Sequence, residues 1–125
     1  MTKLVFAAAL LAAGIVPYVL WQQDVLFLSP LAGWLPEEIP FAGTLPERFF
    51  RYHFADIAWY AALLLSQDQL ARGTATPLTY AVYALPFVCE AAQSAGLMPG
   101  TFDPLDLLFY LITLMIFLIW KRKRN

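Results

Sequence analysis

Residues 104–124 read PLDLLFYLITLMIFLIWKRKR, an apolar run with one early acidic residue, Asp106, that ends in four consecutive basic residues. From Pro104 to Trp120 the run is about 17 residues long, at the short end of the range in which a helix crosses a bilayer. A basic cluster directly after such a run is typical of a topological anchor on the cytoplasmic side. The stretch therefore predicts a membrane helix.

The rest of the chain has the same character. Of its 125 residues, 61% are hydrophobic and 14% are charged, whereas soluble domains carry roughly 25% charged residues. We predict an all-α, single integral membrane domain over residues 1–125, with four transmembrane helices at about 4–21, 49–67, 77–93 and 104–120. The first apolar run resembles a secretory signal, but its length of about 18 residues exceeds the ~7–15 of a signal's apolar region, which favours an uncleaved helix.

Residues 22–48 form the longest predicted connection. They contain four prolines, which argues against a long regular helix, yet they are too apolar for a solvated linker. A re-entrant or interfacial loop over the helix ends fits this composition.

Basic residues predict the orientation. With both termini on one side of the membrane, that side carries Lys3, Arg72 and the four residues of the tail, and the other side carries only Arg48 and Arg51. This excess of six basic residues over two predicts that both termini are in the cytoplasm and that the proline-rich loop is outside. The net charge of −1, with no basic patch beyond the anchor, gives no reason to expect a nucleic-acid partner.

Polar residues recur at the outer ends of three predicted helices. His53 and Asp56 open the second span, Glu90 and Gln93 close the third, and Asp106 follows the start of the fourth. A charge within hydrocarbon costs ~2.5–3.5 kcal/mol, so such residues usually face the interior of a bundle and often mark function.

The spacing within each span sharpens this prediction. His53 and Asp56 are three residues apart, as are Glu90 and Gln93, so each pair lies on one helix face. We expect an acidic, aromatic-rimmed pocket at the outer leaflet, with Arg51 and His53 as auxiliary groups and the following candidate residues: Asp56, Trp59, Tyr60, Glu90, Gln93, Asp103 and Asp106.

Structural roles compete with this interpretation. Asp103, Pro104 and Asp106 also form a good helix start, with Asp103 as the N-cap and an acidic residue in the first turn. His53 and Trp59 have bland alternatives as packing and interfacial residues. A divalent metal among His53, Asp56, Glu90 and Asp106 is chemically reasonable. No His-Glu-x-x-His motif, paired cysteines or second histidine supports it, and no cofactor is predicted.

Two short motifs resemble the VanZ-like family of small bacterial membrane proteins. They are Glu90-Ala-Ala-Gln93, closing one helix, and Gly100-Thr101-Phe102-Asp103-Pro104-Leu105-Asp106, opening the next; the polar-then-aromatic second span is similar too. The likeness covers about residues 50–118. Many members have an arginine in the turn where this chain has Gly100 and Thr101, and their last helix is less apolar.

The resemblance implies a bacterial inner-membrane protein with a site formed by Glu90, Gln93, Asp103 and Asp106, joined by Asp56, and with Thr101 beside it. The family is associated with resistance to the glycopeptide teicoplanin.

Three functions stay open at this point. The first is binding or handling of a membrane lipid or lipid-linked, amphiphilic envelope molecule, with an effect on glycopeptide susceptibility. The second is a membrane enzyme that modifies such a lipid by carboxylate acid–base chemistry. The third is an accessory subunit for other membrane proteins, in which the polar residues hold helices together. Ion conduction is disfavoured, because no acidic group lies within residues 61–65 or 111–119.

Overall fold

The computed structural model describes Thr2–Trp21 and residues 43–124, and every regular element in these two ranges is helical. Helix α1 spans Thr2–Trp21. A second helical segment consists of α2 (Leu45–Phe49), a π-helical turn (Phe50–Phe54) and α3 (Ala55–Leu70). Helices α4 (Pro77–Ser94) and α5 (Pro104–Arg124) complete the fold. The all-α prediction is confirmed for this part of the chain.

The second helical segment differs from its predicted form. It begins at Leu45, because Thr44 accepts a hydrogen bond from the Glu47 amide at 3.3 Å and Pro46 and Glu47 suit the first turn. Residues 45–48 are therefore helix and not loop. The remainder of the predicted re-entrant loop, residues 22–42, lies outside the described residues.

Local signals explain where the other helices begin and end. At the start of α4, Thr76 precedes Pro77 and forms a reciprocal capping box with Thr79. At the start of α5, Asp103 Oδ1 accepts a hydrogen bond from the Leu105 amide at 2.9 Å. Helix α4 ends where Gly96 adopts a φ of +72° and the Leu97 amide donates to the Ala92 carbonyl, as in a Schellman motif. The N-cap predicted at Asp103 is present.

Helix directions follow from contacts at both ends. Lys3 meets Asp68, and Trp59 donates to the Leu11 carbonyl at 3.4 Å, so α1 runs antiparallel to α3. Helix α5 runs parallel to α3, because Asp106 meets His53 at one end and Lys121 meets Asp68 at the other. Helix α4 runs antiparallel to both. The N-terminal end of α1 and the C-terminal end of α5 lie together, because Lys3 and Lys121 both contact Asp68.

Small residues bring α1 and α3 close. Ala7 and Gly14 are buried on α1, and Ala58 and Ala62 are buried on α3. A Cβ added at Gly14 would overlap the indole of Trp59, so glycine is needed for this approach. Small residues at helix contacts are characteristic of membrane bundles, where packing replaces the hydrophobic effect between helices.

The buried apolar core is small and aromatic. It consists of Tyr60, Leu64, Val82, Tyr110 and Phe117. The Tyr60 and Tyr110 rings meet edge to face at 5.6 Å, and the Tyr60 hydroxyl donates to the Tyr83 carbonyl at 2.8 Å. Pro86 has no backbone donor, so the helical hydrogen bond to the Val82 carbonyl, one turn earlier, is absent.

Large apolar side chains cover the outside of the bundle. Among the helices described, Pro104–Arg124 alone has the length and apolar character of a membrane span, and 11% of its apolar stretch is buried inside the molecule. The other described helices are shorter or more polar. Four membrane spans thus stay a prediction.

Candidate functional site

His53 and Asp106 form the centre of the polar end of the bundle. Nδ1 of His53 lies 2.7 Å from Oδ1 of Asp106, and both side chains are largely shielded from solvent. An ionised Asp106 carboxylate can only accept, and in that state the imidazole donates through Nδ1. The His53 ring packs against Phe109 with ring centres 4.9 Å apart. This pair joins the π-helical turn to the first turn of α5.

The π-helical turn determines the direction in which the His53 side chain points. A π turn places one more residue in the turn than an α-helix does, which rotates the residues before it relative to those after it. In this setting His53 turns inwards toward α5, while Arg51 and Tyr52 lie at the surface. Such turns occur often at functional sites. The periodicity of the sequence does not indicate that a π-helical turn occurs at these residues.

Asp56 and Glu90 join the pair from two further helices. Asp56, on α3, is close enough to Asp106, Glu90 and His53 to interact with their charges. Glu90, on α4, is 5% exposed, and its Oε2 accepts a long hydrogen bond of 3.5 Å from the Asp103 amide. Side chains from the π-helical turn, α3, α4 and α5 therefore meet at this end of the bundle.

Asp56 lines two cavities. The inner cavity, of about 220 Å³, is walled mainly by aromatic and apolar residues: Trp59, Tyr60, Leu63, Leu85, Pro86, Cys89 and Tyr110. The outer cavity, of about 380 Å³, is more polar and is lined by Arg51, Tyr52, Gly100 and Thr101 together with Pro17 and Ala55. The Asp56 carboxylate thus borders both a mainly apolar cavity and a more polar one.

Three predicted pocket residues make other contacts. Gln93 donates through Nε2 to the Pro99 carbonyl at 3.3 Å, so its side chain braces the turn between α4 and α5. Gly100 is packed against this amide, and a Cβ there would overlap it. Asp103 caps α5. Trp59 lines the inner cavity, and its indole also bonds the Leu11 carbonyl.

Other residues at the site lay outside the sequence prediction. Tyr110 and Cys89 line the inner cavity beside Asp56, and Tyr52 lines the outer one. Tyr110 lies four residues after Asp106, on the same face of α5, and this spacing could have identified it. Tyr52 lies four residues before Asp56 and offers the same spacing, whereas Cys89, directly before Glu90, carries no such signal.

A possible metal-ligand group exists at the same end. His53, Asp103 and Asp106 each offer one ligand atom, and these atoms lie within 4.8 Å of one another. One nitrogen and two carboxylate oxygens are donors that zinc or manganese accepts. Binding through Nδ1 of His53 and Oδ1 of Asp106 would replace the present hydrogen bond, and these two atoms, now 2.7 Å apart, would have to move apart.

The opposite end of the bundle holds a second polar layer, which the sequence pattern did not reveal. Asp68 is fully buried and lies 2.6 Å from Nζ of Lys3, 3.0 Å from Nζ of Lys121 and 3.6 Å from Nη2 of Arg124. Beside it, Gln67 donates to Thr79 at 2.6 Å. Lys3 and the basic tail are therefore part of the tertiary structure and not only topological anchors.

The arrangement around Asp56 can recognise a polar group of mixed character. Carboxylates accept hydrogen bonds from hydroxyl or amine donors, while the tyrosine ring faces and Trp59 suit an apolar or sugar-ring surface. Comparisons of the chain with protein-family models, with curated proteins and with solved structures find no match.

Proposed function

We propose that this chain is a four-span bacterial inner-membrane protein that binds the polar headgroup of a lipid-linked or amphiphilic envelope molecule in the pocket around Asp56. Asp56 lines both cavities, and it interacts with His53 of the π-helical turn, Glu90 of α4 and Asp106 of α5; this arrangement carries the proposal. The VanZ-like resemblance in the two short motifs points to the same class of envelope function, including altered glycopeptide susceptibility.

The membrane part of the proposal rests on the exposed apolar surface. Soluble monomers rarely expose a contiguous apolar patch above ~300–600 Å². Here large apolar side chains are exposed along α1, α4 and α5, among them Phe6 at 61%, Val88 at 61% and Ile116 at 63%. Helix α5 has the length of a span and is little buried inside the bundle, so a bilayer is the natural cover.

On the proposed orientation, the pocket faces the outer leaflet. The N-terminal end of α1 and the C-terminal end of α5 lie together beside Asp68, and this end of the bundle holds Lys3 and the basic tail. Positively charged ends favour the cytoplasm, so the opposite end, with Asp56, faces outwards. Trp59 and Tyr52 near that end suit the headgroup level, where amphipathic rings are enriched.

Asp56 provides the sharpest test of the pocket, because it lines both cavities. We expect protein extracted gently from a bacterial membrane to retain a specific lipid or glycolipid, and Asp56→Asn to reduce its retention about 10-fold, the effect of losing one charged hydrogen bond. Native mass spectrometry with identification of the bound lipid measures this.

Glu47→Gln is the matched control, because Glu47 is buried but lines neither cavity around Asp56. Thermal unfolding of both variants is measured in parallel. If wild type and both variants carry only bulk lipid, and Asp56→Asn is merely less stable, the pocket proposal is wrong and the carboxylates serve to hold the helices together.

A second candidate function, a metal-assisted membrane enzyme, is favoured by the group formed by His53, Asp103 and Asp106. On this alternative, apo protein titrated with Zn²⁺ or Mn²⁺ binds one ion per chain, and Asp106→Asn weakens binding about 10-fold or more, as expected when a ligand is removed. Isothermal titration calorimetry gives the affinity. Glu47→Gln again serves as the control, and equal heats in all three proteins would exclude this site.

A further inference from the structure

We propose a second lipid site at the opposite end of the bundle, which binds an anionic phospholipid through Lys3, Arg124 and Trp120 and seats one of its acyl chains between α1 and α5. The inference rests on the membrane placement proposed above, but not on the pocket around Asp56. Three structural features carry it.

The first feature is a surplus of positive charge. Lys3, Lys121 and Arg124 all lie within 4.0 Å of the single carboxylate of Asp68, so three cations meet one anion and two positive charges remain unbalanced within the described residues. Arg124 keeps 41% of its side chain exposed, which leaves guanidinium donors free to reach an outside anion. Guanidinium groups match phosphate oxygens in bidentate geometry.

The second feature is a cavity built around these cations. It has a volume of about 440 Å³ and is lined by Thr2, Lys3, Phe6, Leu65, Gln69, Trp120 and Arg124. Lys3 Nζ lies 5.8 Å from the centre of the Trp120 ring, and Arg124 Cζ lies 4.6 Å from it, so both cations flank the indole. A tryptophan beside basic residues is typical of the headgroup level of a membrane.

The third feature is an apolar groove that continues from this cavity. The groove also measures about 440 Å³, and it shares Phe6, Leu65 and Trp120 with the cationic cavity. Its remaining wall comes from apolar residues of three helices, such as Leu10, Ile57, Ala61 and Ile116. Both volumes fall within the ~300–1,000 Å³ of ordinary ligand sites.

Together these features match the two parts of one molecule. A positively charged end and an adjoining apolar groove complement an anionic headgroup and its acyl chain, respectively. Basic pockets between membrane helices on the cytoplasmic side bind such headgroups in general. A soluble phosphate would use the cationic cavity only, and a neutral lipid would use the groove only.

The test is a titration of purified, delipidated protein with palmitoyl-oleoyl phosphatidylglycerol or with the phosphatidylcholine of the same chains, followed by native mass spectrometry. We expect one phosphatidylglycerol to bind about 10-fold more tightly than phosphatidylcholine. Arg124→Gln should weaken phosphatidylglycerol about fivefold, as expected for one basic contact, and leave phosphatidylcholine unchanged. Arg122→Gln, which removes the same charge from an exposed position outside the cavity, should have no effect.

A second pair of variants tests the groove. Ala61→Phe places a ring in the groove and should abolish phosphatidylglycerol binding, whereas Ala84→Phe, on an exposed part of α4, should not. Equal affinity for both lipids, equal loss in Arg122→Gln and Arg124→Gln, or full binding in a folded Ala61→Phe would each overturn the proposal.

Failure of this site and failure of the proposed function give different results. Asp56→Asn should leave phosphatidylglycerol binding unchanged, because Asp56 lies at the other end of the bundle. Recovery of the chain in the soluble fraction after alkaline carbonate extraction would contradict the membrane placement itself. Retention in the membrane fraction together with non-selective lipid binding would contradict only the second site.

Discussion

Asp68→Asn is expected to lower the free energy of unfolding by about 3 kcal/mol, the low end of the range for removing one partner of a buried ion pair. Asp68 is fully buried, and its carboxylate is the shared partner of Lys3, Lys121 and Arg124. The asparagine has a similar volume but no charge, so the cations would lose their common counter-ion. The two lysines retain some exposure and can move toward water, which limits the loss.

Unfolding by sodium dodecyl sulphate in mixed micelles, followed by tryptophan fluorescence, measures this change. Lys121→Met provides the control through a double-mutant cycle. If the carboxylate acts through Lys121, the double variant should lose less stability than the sum of the two single losses. Additive losses would show that Asp68 stabilises the fold by some means other than this ion pair.

The same cluster predicts a dependence on pH. Burial alone would raise the pKa of the Asp68 carboxyl, but the ammonium groups of Lys3 and Lys121 outweigh that effect and hold the pKa below its ordinary value. The stabilisation is therefore complete above the unfolded value of ~3.9 and is lost as the pH falls below it through the folded pKa. At these lower pH values, the difference in the free energy of unfolding between wild type and Asp68→Asn should become smaller.

Asp68 also shows what a linear pattern conceals. Counting Lys3 and the basic tail on one side of the membrane predicted an orientation, because charge counts need no partners. The same count could not show that α1 and α5 bring these cations to one acidic residue on α3, since that depends on how the helices pack. Asp68 lies in a short polar stretch before Gly73, where an acidic residue ordinarily meets solvent.

In contrast to the Asp68 cluster, the polar residues at the other end of the bundle could be grouped from the sequence, because their depth in the membrane follows from their position along each helix. Depth in a membrane helix follows from residue number, because each residue advances the helix by ~1.5 Å. Asp56, Glu90 and Asp106 could therefore be assigned to one level before their neighbours were known. Side-chain direction is a finer property, and it was wrong for Gln93, which reaches back to the Pro99 carbonyl of the adjoining turn.

Gly14→Leu should cost about 3 kcal/mol, the upper end of the usual penalty for overpacking. Even a single Cβ at this position would overlap the Trp59 indole, so α1 and α3 would have to separate or Trp59 would have to leave its place. Trp59 also donates to the Leu11 carbonyl one turn away on α1, and moving the indole would break that hydrogen bond. Both escape routes therefore lose contacts between the two helices.

The measurement is again unfolding by sodium dodecyl sulphate, with Ala12→Leu as the control, since Ala12 is exposed on the same helix. Ala12→Leu adds three carbons where Gly14→Leu adds four, but at a position that is exposed in the described part of the chain, so its stability should match wild type. Trp59→Ala in the Gly14→Leu background should recover part of the loss, because it opens the space that the leucine needs. A loss as large in Ala12→Leu would mean that α1 is sensitive to bulk anywhere, and a stable Gly14→Leu would contradict the close contact between α1 and α3.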